Sequence, residues 1–476
     1  MDTFSLKKKI AKGFLSLTFR KAILLAVNYL TINIILARIL PVSTIGVFNI
    51  ANSVLAFFTF FSDIGLAAAL IQKKEIKQED IKTTFTIQEI LAFLISVTIW
   101  FSAPSLASFY NLDILGMYLI RSLAVSFFLV SLKVVPSVLL ERDLRFQPLV
   151  FVEILETLVF NASLILLTFA NFSIAAFAWA AILRSMTGVL AIYIVAPWKI
   201  SIGVSTGSLK SLLSFGIPFQ ANSILALFKD RLVPLVIAKM VGAVGVGYIT
   251  WAQSLAFLSL EVMNIMIRVT FPAYARLQDD KQSLKKTLED SIFATGVVLY
   301  PMLFGLNAIA PSLIAHVVSP KWQPALPLIY LFSIGAFWAT LSSPFTNFLN
   351  AIGKINTTLK LMVMWTSLEW VLTPILTIYF GFIGVGIASA IISVTSIIPL
   401  FIIKKMIKVE IIKNIWQPIT AASIMGLFAF ISGRIFITNY LTLLEVVILS
   451  AVVYLCLIFL LAKQRIVKYY QSFKNA

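Results

Sequence analysis

The feature that most constrains this chain is a succession of apolar runs of about 20 residues, separated by short polar connections. They fall near residues 20–40, 46–70, 84–103, 116–140, 150–170 and 173–196. After the polar stretch SIGVSTGSLK at 201–210 they resume near 211–239, 246–270, 290–315, 324–350, 357–380 and 383–403. Two more, near 417–437 and 441–462, bring the number to fourteen. Runs of this length read as membrane-spanning helices, because hydrocarbon offers backbone N–H and C=O groups no partner beyond the helix's own ladder. Composition agrees: 60% of residues are hydrophobic, 12% are charged and mean hydropathy is +0.98. Soluble domains carry roughly a quarter charged residues. The fold class expected is an all-α polytopic membrane protein. The spans leave no room for a tethered soluble enzyme, an ATPase module or a receptor ectodomain.

A net charge of +18 invites a nucleic-acid partner, but the distribution argues against one. Of the lysines and arginines, 28 lie in alternate connections and the two tails, only four lie in the intervening connections, and six lie within spans. Strict alternation of this kind is the positive-inside pattern. It predicts a multi-pass membrane protein with both termini in the cytoplasm and an even number of spans. The leading segment MDTFSLKKKIAKGF lacks a small-residue cleavage site, so it reads as retained.

Shifting the sequence by 201 positions lays Ala37, Arg38, Gly46, Ala51, Asn52 and Ser53 onto Ala238, Lys239, Gly247, Ala252, Gln253 and Ser254. Each copy occupies the end of a span, a short outer connection and the start of the next span. The copies are six spans apart and share one orientation, which predicts parallel repeats. The expected organisation is a six-helix lobe at 1–205, a second at 206–408, and two further helices with the tail at 409–476. Prolines at Pro136, Pro218, Pro234, Pro301, Pro344, Pro374 and Pro399 interrupt spans and bend them. Pro136 and Pro344 both fall in the fourth span of their lobe.

Chemistry in such a chain is to be sought among charges at membrane depth, each costing at least about 3 kcal/mol to insert. The cations are Arg121, Lys133, Arg184, Lys229, Arg231 and Arg268; the acids are Glu89, Glu153, Glu156, Asp230, Glu261 and Glu369. Equal numbers allow mutual pairing, and sequence leaves pairing and binding both open. Arg184 stands nearest mid-span, and a guanidinium grips phosphate oxygens through two parallel bonds while keeping its charge. Arg184, Arg121, Lys229 and Arg231 are therefore the candidate substrate-binding residues. Glu261 and Glu369, carboxylates near mid-depth, are candidates for coupling to a proton or sodium ion. No cofactor, metal site or catalytic group is expected: Cys456 and His316 are single residues of their type. No phosphate-binding G-x-x-x-x-G-K-[ST] stretch occurs.

The stretches SDIGLAAALIQKKE (62–75), LLERDLRF (139–146), DRLVPLVIAKMVGAVGVGY (230–248), FPAYARLQDD (271–280), SPKWQPA (319–325) and LNAIGK (349–354) resemble a known family. It is the bacterial polysaccharide and oligosaccharide-lipid flippases of the multidrug/oligosaccharidyl-lipid/polysaccharide exporter superfamily, in the colanic-acid or teichuronic-acid branch. The resemblance implies a two-lobed fold and alternating access, without enzyme activity. It implies a polyprenyl-diphosphate-linked oligosaccharide as cargo, with the polymerase and glycosyltransferases of the same pathway as partners. Pro234 departs from the uninterrupted helix usual there. Two alternatives stand beside the flippase: a membrane polysaccharide polymerase or glycosyltransferase, and a multidrug exporter of the same fold. Short outer connections with few charges speak against the enzymes.

Overall fold

A computed structural model describes residues 27–62, 64–221 and 227–474; the six basic residues of the leading tail lie outside them. Among the described residues every regular element is helical, as the membrane requires. Twelve helices are long and apolar enough to span a bilayer. The first expected run is represented by the shorter helix Val27–Ile39. The end of the seventh expected run and the start of the eighth meet in the stretch Phe228–Ala256, where a kink at Gly242 (φ 65°, ψ −176°) separates two helices. That backbone lies in a region open essentially to glycine.

The chain divides into two compact units, Met1–Gly247 and Tyr248–Ala476. In the first, the helix Val27–Ile39 is followed by α1 (Val42–Thr59), α2 (Leu66–Gln72), α3 (Gln78–Phe109), α4 (Ile114–Ser131), α5 (Val134–Arg142), α6 (Phe146–Phe169), α7 (Ile174–Val195), α8 (Thr206–Ala221) and the start of α9 (Val233–Ala256). Its core gathers Leu36, Leu119, Leu123, Leu164 and Phe177, with Phe48 stacked on Phe177 at 4.4 Å. Ala176, Ala180 and Ala181 are buried on α7, and small residues of this kind let membrane helices approach closely.

The repeated glycines meet inside this unit. A Cβ on Gly46 would lie 1.7 Å from the carbonyl oxygen of Ala243, and one on Gly247 would lie 2.5 Å from that of Val42. Val42 and Ala243 are themselves 201 positions apart, so the contact is reciprocal, as a two-fold axis demands. Backbone-to-backbone approach is what fixes glycine at both positions. The helix before each copy also carries a π-helical turn, Leu30–Leu36 in one and Phe228–Leu232 in the other, a few residues out of the 201-residue register. The second ends just before Pro234, which has no N–H for an ordinary α-helical bond.

The fourth run is broken at Leu132–Lys133, between α4 and α5. Pro136 cannot donate to the carbonyl of Leu132, and that oxygen instead accepts the hydroxyl of Tyr193 at 3.1 Å. Pro344, its counterpart by position, is buried within a continuous helix. The matching prolines therefore have different local outcomes.

The second unit holds the end of α9, then α10 (Leu258–Arg276), α11 (Lys281–Ser312), α12 (Leu326–Ala351), α13 (Ile355–Phe380), α14 (Phe382–Val394), α15 (Ile397–Met406), α16 (Ile411–Phe436) and α17 (Tyr440–Lys474). Trp251 and Trp322 are buried with ring centroids 4.5 Å apart. Tyr454 of α17 donates to the carbonyl of Val297 in α11 at 2.7 Å. Beyond Ala462, where α17 bends, Arg465 donates to Asp290 Oδ1 at 2.9 Å and Asn414 Oδ1 at 2.6 Å. It also covers the Phe293 ring at 4.1 Å, tying α11, α16 and α17 at one end.

Candidate functional site

In the first unit the structure sorts the membrane-depth charges into two kinds. Lys133, at the break after α4, forms an ion pair with Glu156 Oε1 of α6. Glu156 is only 2% exposed. The carboxylate fits because residue 188 of α7 is glycine: a Cβ there would fall 1.6 Å from Glu156 Oε1. Nearby, Ser131 Oγ donates to Glu89 Oε2 at 2.7 Å. Glu153 shares one face of α6 with Glu156 by its three-residue spacing.

Arg184 is of the other kind. It is exposed, and no carboxylate pairs with it among the described residues. Its guanidinium lies 5.7 Å from the centroid of the Phe160 ring, a cation–π contact. At about 100° per residue it falls on the side of α7 that carries Phe177, Ala180 and Ala191, all buried. Trp179, Met186 and Leu190, on the opposite stripe, are exposed. Arg184 is thus exposed on the side of α7 away from that apolar stripe. Beside Phe160, Asn161 donates to Asn28 Oδ1 and to the carbonyl of Thr157, each at 2.8 Å.

The other candidates have separate surroundings. Arg121 of α4 donates to the carbonyl of Trp100 at 3.4 Å and covers that ring at 5.2 Å. Lys229 is half-buried and Arg231 exposed, both on the π-helical turn Phe228–Leu232. In the second unit Glu261 is half-buried in the first turn of α10, and Glu369 is half-buried on α13. Glu261, Asn264 and Arg268 share one face of α10 by their three- and four-residue spacings, giving it a polar stripe.

Sequence reasoning passed over Arg142. Its guanidinium donates to the carbonyls of Leu70 (2.7 Å), Ile71 (3.2 Å) and Lys74 (2.7 Å), and also to that of Lys73. It therefore covers the C-terminal end of α2, where orphan carbonyls and the helix dipole favour a cation. Asp80 fixes the same loop from the other side, accepting from Lys73 Nζ at 2.8 Å and the Lys77 N–H at 2.9 Å. The stretches 62–75 and 139–146 thus form one joint. The signal was available in their joint presence but not in either alone.

Comparison with known proteins bears on the family and the fold. The family model described as "Polysaccharide biosynthesis protein" matches residues 35–327. The chain belongs to that family. It is 24% identical to the lipopolysaccharide biosynthesis protein WzxC of Escherichia coli (strain K12) over 345 residues, 70% of this chain and 68% of that one. It is 24% identical to the teichuronic acid biosynthesis protein TuaB of Bacillus subtilis (strain 168) over 416 residues, 84% of each. Among solved structures, the lipid II flippase MurJ in an inward closed conformation superposes with a TM-score of 0.74 at 14% identity, covering 96% of this chain and all of that one. An inward-facing multidrug resistance MATE family transporter of the MOP superfamily superposes at 0.63 and 16% identity, covering 83% and 97%. These likenesses establish the fold: this member of the polysaccharide biosynthesis family is a multi-pass helical membrane protein built like MurJ and the MATE transporters.

Proposed function

We propose that the protein is a flippase that carries a polyprenyl-diphosphate-linked oligosaccharide, the repeat unit of a polysaccharide, across the bacterial cytoplasmic membrane by alternating access. In this reading both termini are cytoplasmic. Fourteen spans form two six-helix lobes, 1–205 and 206–408, with two further helices at 409–476. The pathway's glycosyltransferases supply the cargo, and its polymerase consumes it.

The observation that carries the reading is Arg184: a cation at mid-helix, exposed, and paired with no carboxylate among the described residues. Inserting such a group costs several kcal/mol unless a partner compensates, and a diphosphate supplies that partner. The phosphates are the anionic part of such a lipid, so a guanidinium that keeps its charge when desolvated is the fitting donor. Arg121, Lys229 and Arg231 are proposed to assist along the path, and Glu261 and Glu369 to couple movement to an ion gradient. Family membership and the names of WzxC and TuaB support a polysaccharide precursor as cargo.

The test is complementation of glycan export in a deletion strain, with membrane protein level matched. Arg184→Ala removes an interaction worth about 1.5–3 kcal/mol, or about 10- to 150-fold in cargo affinity. Arg184→Lys keeps the charge but loses the paired geometry, so it is expected to restore export only in part. Full export by a well-expressed Arg184→Ala would remove this residue from the cargo site.

A further inference from the structure

The second unit carries a polar recess that the cargo reading does not use. A cavity of about 1020 Å³ lies where the spans of α11 and α16 begin and that of α17 ends at Arg465. Its lining includes Lys286, Lys413, Trp416, Leu460, Lys463 and Arg465. All three helices fix its walls. Where α17 bends at Ala462, the carbonyl of Leu461 accepts Gln417 Nε2 of α16 at 2.8 Å. Three residues further on, Arg465 is tied to Asp290 of α11 and Asn414 of α16. Asn414 is 5% exposed and donates in turn to the carbonyl of Glu410 at 2.6 Å. The bend therefore has a cause, and the recess beside it is built from defined contacts.

The acids of this recess are engaged. Asp290 accepts from Arg465 at 2.9 Å, and Glu410 pairs with Lys413 at 3.0 Å. Glu289 accepts the Glu410 N–H at 2.9 Å and lies 3.7 Å from Lys285 Nζ. Lys286 of α11 and Lys463 of α17 differ from these. Both are exposed, both line the cavity, and neither has an ion-pair partner among the described residues. They offer ammonium groups to an anion from outside the chain.

Position says what kind of anion. Leu460, three residues before Lys463, is 72% exposed. Leu449, Cys456 and Leu460 follow one another at spacings of seven and four along α17, a single stripe, and all are exposed. Trp416, three residues after Lys413, is 44% exposed, and tryptophan favours the boundary between hydrocarbon and water. The open apolar surface of a span thus runs directly into open ammonium groups. A phospholipid matches both parts, with a phosphate for the lysines and acyl chains for the stripe; a water-borne anion matches only the first.

We infer that this recess binds the headgroup of an anionic glycerophospholipid, its phosphate held by Lys286 and Lys463 and its acyl chains lying along the Leu449–Leu460 stripe of α17. Basic pockets between membrane helices hold anionic headgroups in this way. In the topology proposed above, the recess faces the cytoplasmic leaflet. The site itself rests on the membrane fold alone and involves none of the candidate cargo or coupling residues.

The experiment is equilibrium binding of radiolabelled phosphatidylglycerol to the purified, delipidated full-length protein in detergent, with phosphatidylcholine in excess. The expected result is a saturable component displaced by unlabelled phosphatidylglycerol, but not by phosphatidylcholine, inorganic phosphate or water-soluble glycerophosphoglycerol. Lys286→Gln and Lys463→Gln alter exposed side chains, so both should fold. Each should weaken binding about fivefold, and the double variant about 25-fold. The double variant Lys404→Gln/Lys405→Gln removes two exposed charges from the last turn of α15, outside the recess, and should bind like the native chain. An equal loss in that control would overturn the proposal in favour of diffuse surface charge. Displacement by inorganic phosphate or glycerophosphoglycerol would overturn it in favour of a soluble anion. Absence of a saturable component, or unchanged affinity in Lys286→Gln/Lys463→Gln, would overturn it outright. No cargo is present in these measurements, so their failure leaves the flippase reading standing, and failed glycan export leaves this site standing.

Discussion

The break after α4 and the middle of α7 each place a cation at membrane depth, and the protein treats the two in opposite ways. Lys133 meets a carboxylate that is 2% exposed, in a niche that glycine 188 keeps open. Arg184, about one turn of α7 away from that glycine, is exposed and lies over the Phe160 ring, with no carboxylate partner among the described residues. The lesson is that a charge in a membrane helix is structural when a neighbouring helix has reserved space for its counter-ion. Where no such space is reserved, the charge stays exposed, as it does at Arg184.

That contrast can be broken most forcefully at the ion pair. Lys133→Ala leaves the buried Glu156 alone, which costs about 3–5 kcal/mol, and Glu156→Ala leaves the half-buried Lys133 without its partner. Both single variants should melt well below the native protein and accumulate poorly in the membrane. The double variant Lys133→Met/Glu156→Leu should recover most of the loss, since well-packed apolar residues often replace a buried pair without penalty. Arg184→Ala, measured beside them in the same melting assay, should behave like the native chain. Native-like melting of Glu156→Ala would erase the distinction between the two sites.

How much of this was readable in the residues differs between fold and site. The apolar runs, their alternating basic connections and the repeat at 201 positions carried the helical architecture, because membrane burial acts on every residue of a span. The two glycines of the repeat were visible as a matched pair. Their reason, close approach to the carbonyls of Val42 and Ala243, needed three dimensions. The site was less legible. Periodicity assigns a residue to a helix face but not to a partner, so Lys133 and Glu156, 23 residues apart, appeared only as one cation and one acid among twelve charges. Arg142 was hidden for a related reason. Its partners are backbone carbonyls of another stretch, which have no side-chain signature.

A smaller substitution sharpens the same comparison from the side of packing. In Gly188→Ala a single methyl would collide with Glu156 Oε1. Overpacking of this order costs about 1–3 kcal/mol, less than losing the partner outright, because the carboxylate can shift while keeping its charge neighbour. Gly188→Ala should therefore melt between the native protein and Glu156→Ala. Placing the same methyl in Glu156→Ala, where the carboxylate is gone, should cost much less. If Gly188→Ala is equally harmful in both backgrounds, the glycine serves helix contact rather than the carboxylate.

The smallest effect is expected at a carboxylate that has hydrogen bonds but no burial. Asp280 caps α11 at its start, accepting from the N–H groups of Gln282 and Ser283 at 3.0 and 3.1 Å and from Ser283 Oγ at 2.6 Å. The hydroxyl and the amides hold its carboxyl below the usual aspartate range, since they favour the charged form. A depressed value in the folded state means that the contribution is fully present above the ordinary aspartate pKa. It is lost as pH falls through the lower, folded value. Asp280 is fully exposed, so water competes for every one of these bonds. Asp280→Asn, which preserves a capping oxygen, should melt like the native chain at neutral pH. Asp280→Ala should lower the melting temperature by less than either Glu156→Ala or Gly188→Ala. The difference between Asp280→Ala and the native chain should shrink once acidification protonates the native carboxylate. A loss at Asp280 as large as that at Glu156 would show that hydrogen bonding, rather than burial, sets the energetic weight of a carboxylate in this protein.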